Sequence, residues 1–150
     1  MKEFINSSSK IYCDYTVFLN DSFELFCESN EQDIRDSCVK LIIPQAVVDE
    51  MKAVPISRTD DYILCCQGLE RVNQAVKSGI AEFAENPDGI EFSEDFFYRL
   101  CETSGSDIIV LSGDIRLVME LDRICAETGK HSGFLTVLEI EENGMIHRLR

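Results

Sequence analysis

Carboxylates are the side chains of this sequence best placed to do chemistry. Three recur at one kind of position: Asp14 directly after the short apolar run Lys10–Cys13, Glu50 early in the helical pattern that follows a second apolar run, and Asp114 directly after the most strand-like run, residues 107–112. A fourth acid, Asp95 or its neighbour Glu94, falls in the first turn of the helical pattern that precedes that last run. Like charges about 5 Å apart repel by about 3 kcal/mol at an effective dielectric near 20, so acids gathered this closely either hold protons or share a cation. Hard oxygen ligands of this kind suit Mg²⁺ or Mn²⁺. Each acid also has a plain structural use, because the start of a helix accepts a carboxylate for capping and dipole reasons alone. His131 and His147 are the only histidines, so acid–base work would rest on carboxylates.

The elements that must position these acids alternate. Lys10–Cys13 reads as a strand ending at Asp14, and Leu19, Phe23 and Phe26 then share one face of a helix over residues 16–28. Residues 39–43 read as a second strand, with Pro44 in the first turn of a helix that places Val47, Met51 and Val54 on one side. Tyr62, Cys65, Leu69, Val72 and Val76 keep helical spacing from Thr59 or Asp60 as cap to Gly79 as stop. Residues 53–85 read as a helical excursion between sheet strands, 85–89 as a turn and 90–92 as a brief strand. Ser93 caps a helix through Cys101. Residues 107–112 form a central strand, and Val118, Leu121 and Cys125 mark a helix closed by Gly129. Residues 133–140 and 145–149 pair as a hairpin turned at Asn143-Gly144.

Strands alternating with helices predict an α/β fold: a three-layer α/β/α arrangement around a mainly parallel sheet, with a C-terminal strand or hairpin, in one domain spanning 1–150. In such sheets ligands bind beyond the carboxyl ends of the strands, where Asp14 and Asp114 fall.

The chain has 150 residues and a formal charge of −14, with 28 acidic against 14 basic residues spread along its length. That charge disfavours unspecific binding to nucleic acid or anionic lipid, so a nucleic-acid role requires metal ions or a local basic rim. Arg116, Lys52 and Arg58 lie near the acids in sequence and are candidates for phosphate contact. The absence of a long apolar run argues against a membrane, and the expected compartment is the cytoplasm. The seven cysteines, an odd number without a C-x-x-C pair, read as reduced thiols; Cys65-Cys66 on the regular helix belongs to packing rather than redox chemistry.

Three pieces, IYCDYTVFL (11–19), IIPQAVVDEM (42–51) and IIVLSGDIRL (108–117), together resemble the PIN-domain nucleases. They are similar to that family's strand-Asp opening, its Pro-x-x-Val-x-x-Glu helix and its strand-Thr-x-Asp segment. The resemblance implies a PIN-like fold, a Mg²⁺ or Mn²⁺ site and metal-dependent hydrolysis of phosphodiester bonds in RNA. Asp14, Asp114 and Asp95 would serve as metal ligands, Glu50 would complete the catalytic acids, and Arg116 and Lys52 would meet substrate. It further implies a toxin-type protein with an inhibitory partner, and a homodimer. Tyr15 stands where the family usually carries Ser or Thr, and Ser112-Gly113 replaces its common Thr-Asn.

A haloacid-dehalogenase-type phosphatase also places an Asp after the first strand, but Asp14-Tyr15-Thr16 lacks the second acid of its Asp-x-Asp motif. A receiver domain needs paired acids before its first helix and a late Lys, neither of which is evident. The competing reading from another class is a catalytically weak or inactive PIN-like module that binds a protein partner.

Overall fold

The computed structural model describes Met1, Phe4 and residues 10–150. In chain order the elements are β1 (Lys10–Cys13), a turn of 3-10 helix (Tyr15–Phe18), α1 (Ser22–Asp36), β2 (Leu41–Pro44), α2 (Gln45–Ala53), α3 (Thr59–Lys77), β3 (Ala81–Ala84), α4 (Ser93–Thr103), β4 (Ile108–Leu111), α5 (Ile115–Glu127), β5 (Leu135–Ile140) and β6 (Ile146–Arg148). The strands form one sheet in the order β3-β2-β1-β4-β5-β6, parallel throughout except for β6, which pairs antiparallel with β5. This is an α/β fold with a six-stranded, mainly parallel sheet and five α-helices among the described residues. No described helix is long and apolar enough to cross a membrane.

Apolar runs that must be covered on both faces become the inner strands. All four residues of β4 are buried, as are Ile11, Tyr12 and Cys13 of β1. The chain builds outward from β1 through β2 to β3, then crosses back to lay β4 on the other side of β1. Where the order reverses, β1 and β4 are in register, Cys13 opposite Leu111, so the residues after both strands leave the sheet together.

The helices follow from their spacing. On α5, Leu117, Val118, Leu121, Ile124 and Cys125 are buried, and Gly129 beyond its end takes φ 69°, a conformation glycine adopts without strain. All seven cysteines are free, with Cys13, Cys65, Cys101 and Cys125 buried.

Five local expectations are corrected. A continuous helix over residues 16–28 does not form, because the chain makes the 3-10 turn and starts α1 only at Ser22. The guanidinium of Arg71, buried on α3, explains the break: its Nη1 donates to the Phe18 carbonyl at 2.9 Å, while the same side chain binds Glu24 at 3.0 Å and Asp21. That carbonyl would otherwise accept from the next helical turn. Residues 90–92 form no strand. The strand lies earlier, in β3, so residues 53–85 return to the sheet edge rather than staying helical. Pro44 ends β2, opposite Ala84, and α2 begins after it. Ser93 is the first residue of α4 rather than its cap, and its hydroxyl points elsewhere.

Candidate functional site

At the switch between β1 and β4 a ring of hydrogen bonds closes around Asp14. The hydroxyls of Thr16 and Ser112 both donate to its Oδ2, at 2.9 and 3.0 Å. The Gly113 N–H donates to Thr16 Oγ1 and the Asp114 N–H to Ser112 Oγ, each at 3.0 Å. The position of Asp114 is thereby tied to that of Asp14 through two hydroxyls. Asp14 itself is 1% exposed, and burial pushes its carboxyl up to about 6 against the opposing pull of these hydroxyls and of the Tyr15 and Thr16 N–H groups.

Asp114 caps α5. Its Oδ1 accepts from the N–H groups of Arg116 at 2.9 Å and Leu117 at 3.4 Å, which places the carboxylate at the positive end of the helix dipole.

Glu50 is held from α4. Its Oε1 accepts from the Ser93 N–H at 3.0 Å and its Oε2 from the Ser93 hydroxyl at 2.7 Å. The pair joins α2 to the start of α4, and it is why Ser93 does not cap its own helix.

These acids face one cavity of about 520 Å³, beyond the carboxyl ends of β1 and β4 and between α2, α3 and α4. Asp14, Glu50, Glu94 and Asp114 contribute to its wall, together with Asp61 and Arg58, which pair with each other at 2.5 Å. Leu19, Val54, Pro55, Leu64, Phe92 and Leu117 are among the apolar residues of the wall. Tyr15 is also in the wall, where burial, then Asp14, Asp114 and Glu50, raise its phenol and Arg116 opposes them.

The structure thus brings Asp14, Glu50 and Asp114 together. Of the two neighbours considered for the fourth position, Glu94 is in the wall and Asp95 is not. Successive helical residues point about 100° apart, and here the rotation of α4 turns Glu94 toward the cavity. Arg116 is exposed, its Nε 3.8 Å from Asp114, and Lys52 is exposed outside the wall. Arg58 is the cation the wall contains. Among the described residues no three Asp, Glu, His or Cys side chains form a ready-made metal-ligand group.

Sequence reasoning gave no role to Thr16 or Arg71 and read Ser93 only as a cap. A hydroxyl two residues after Asp14, and an Arg in the buried register of α3 between Gly68 and Ala75, were the available signals. No protein-family model matches the chain, and no curated protein is significantly similar to it.

Proposed function

We propose that this protein is a metal-dependent hydrolase of phosphodiester bonds in RNA, built on a three-layer, PIN-like α/β/α fold, with its site in the cavity at the β1–β4 switch. The observation that carries the reading is the convergence of Asp14, Glu50, Glu94 and Asp114, from four separate segments, on one cavity of about 520 Å³. Reaction class and substrate come from the sequence resemblance; the cavity supplies a place where they fit.

The donor set suits a hydrated Mg²⁺ or Mn²⁺ rather than a dry cage. Mg²⁺ keeps several waters and takes one or two carboxylates, and Asp14 and Asp114 are the two that follow adjacent strands into the cavity. Asp14 and Asp114 would hold the ion, with Glu50 and Glu94 receiving its waters. Such an ion would supply an activated water and neutralise charge on the phosphate. Thr16 and Ser112 fix the orientation of Asp14, the α5 N-terminus fixes Asp114, and Ser93 fixes Glu50, so the carboxylates are set before any ligand arrives. Arg58 in the wall and Arg116 outside it would contact phosphate.

A second reading, a binding module without catalysis, is favoured by a specific feature: both oxygens of Glu50 and Oδ2 of Asp14 already accept hydrogen bonds from neutral donors. Calorimetric titration of Mn²⁺ into the protein, Asp14→Asn and Asp114→Asn, beside cleavage of single-stranded RNA, separates the two. Saturable binding and cleavage, both lost in each folded variant, are expected. No binding to the unaltered protein up to millimolar Mn²⁺ leaves the binding module as the account.

A further inference from the structure

Phe92 is 57% exposed and lines the cavity, so its ring is open to whatever enters that space. It is not displayed from a loose loop. The next residue, Ser93, is held by two hydrogen bonds to Glu50, and the Phe92 carbonyl accepts from Phe96 N–H at 3.2 Å, so the start of α4 that carries the ring is anchored. Tyr15 is set in the same wall by Asp14 before it and by the 3-10 turn that it begins. Leu64, 40% exposed, adds apolar surface to that wall. Two anchored rings and an aliphatic side chain around one space make a surface for a flat, uncharged group.

A nucleobase is such a group, and it tolerates the acidity that repels phosphate. Base–aromatic stacking does not depend on charge, and the amino and ring N–H groups of a base donate to carboxylates. Glu94, beside Phe92 and in the wall, is an acceptor at the right place. Guanine offers two adjacent donors to one carboxylate, whereas uracil presents mainly carbonyls.

Resting on the hydrolysis reading, we propose that Tyr15 and Phe92 form a stacking subsite for one unpaired base next to the scissile phosphate, with Glu94 selecting amino-bearing bases and guanine first. The RNA is then unpaired at this position, since a paired base cannot stack on the rings.

The test uses fluorescein-labelled RNA decamers in Ca²⁺, one of uridines alone and one with a single guanosine among them, read by anisotropy. Cleavage of the same RNAs is followed in Mn²⁺. Phe92→Ala is expected to weaken binding about tenfold while Phe92→Tyr restores it. Glu94→Gln is expected to abolish an about tenfold preference for the guanosine strand, read as the ratio of the two strands' affinities within the variant. Phe92 is exposed, so its variants should fold, which circular dichroism checks. RNA that is bound and cleaved equally by the parent and Phe92→Ala overturns the subsite and leaves hydrolysis standing. RNA neither bound nor cleaved by the parent overturns hydrolysis and the subsite with it.

Discussion

The two ends of the 3-10 turn Tyr15–Phe18 handle charge in opposite ways. At its far end the buried ion is a cation: Arg71, 7% exposed, is matched by Asp21 and Glu24, which reach it from solvent at 89% and 53% exposure. At its near end the buried ion is an acid, Asp14, whose side chain is bonded by hydroxyls and backbone N–H groups. The first arrangement is electrically complete, so it fixes the chain. The second orients a carboxylate without cancelling its charge, so it leaves negative potential directed at a cavity. Burial therefore does not distinguish the two ends of the turn; the presence or absence of a counter-charge does.

The largest effect that would sharpen this contrast is expected at the complete end. Arg71→Met removes three charge-assisted contacts and strands the Phe18 carbonyl, and should cost about 3 kcal/mol in urea unfolding. Arg71→Lys should recover less than half, because a lysine cannot reproduce a fork that serves a carbonyl and two carboxylates at once. A loss below about 1 kcal/mol for Arg71→Met would mean that the turn is held by packing, and the contrast would fail at this end.

At the other end the sign reverses. With its folded-state carboxyl raised to about 6, Asp14 binds a proton more tightly folded than unfolded. Its contribution is fully present below the ordinary carboxylate range and is lost as pH rises through about 6. In metal-free buffer, Asp14→Asn should escape this loss, so the stability of the variant relative to the parent should improve by about 2 kcal/mol between pH 4 and pH 7. Urea midpoints at both pH values measure it. A relative stability that does not move with pH would show that neutral donors compensate Asp14 as fully as a cation would.

The same contrast explains what the sequence could reveal. β1, β4 and β5 were readable because strands covered on both sides must be apolar almost without interruption. β3, with the sequence AEFA, was not: it is an edge strand with Glu82 and Phe83 exposed, so it carries neither a continuous apolar run nor a clean alternation. The positions of Asp14 and Asp114 were legible because they follow strands whose place in a parallel sheet is fixed by topology, whereas Glu50, expected early in its helix, lies in the second half of α2. The choice of Glu94 over Asp95 was not, because adjacent residues in a first helical turn differ only in rotation about an axis whose placement depends on the Glu50–Ser93 contact, 43 residues apart in sequence. Arg71 was hidden for a related reason. Its partners lie about 50 residues earlier, and a lone Arg in a helix reads as surface charge until the turn that it holds is known.

The smallest predicted effect probes the hydroxyls that stand in for a counter-ion. Thr16→Val keeps shape but removes one donor to Asp14 and the acceptor of the Gly113 N–H, at 2.9 and 3.0 Å. It should cost about 1 kcal/mol at pH 7, within the usual range for one buried hydrogen bond. The hydroxyl favours the charged carboxylate, so its loss raises the Asp14 carboxyl further above about 6, and the penalty must shrink as pH falls to 4 and the acid becomes neutral. The two variants at this end should therefore diverge on raising the pH, Asp14→Asn gaining on the parent while Thr16→Val loses ground. A Thr16→Val penalty that stays the same from pH 4 to pH 7 would show that Thr16 serves the backbone at Gly113 rather than the charge on Asp14, and would leave the tuning to Ser112.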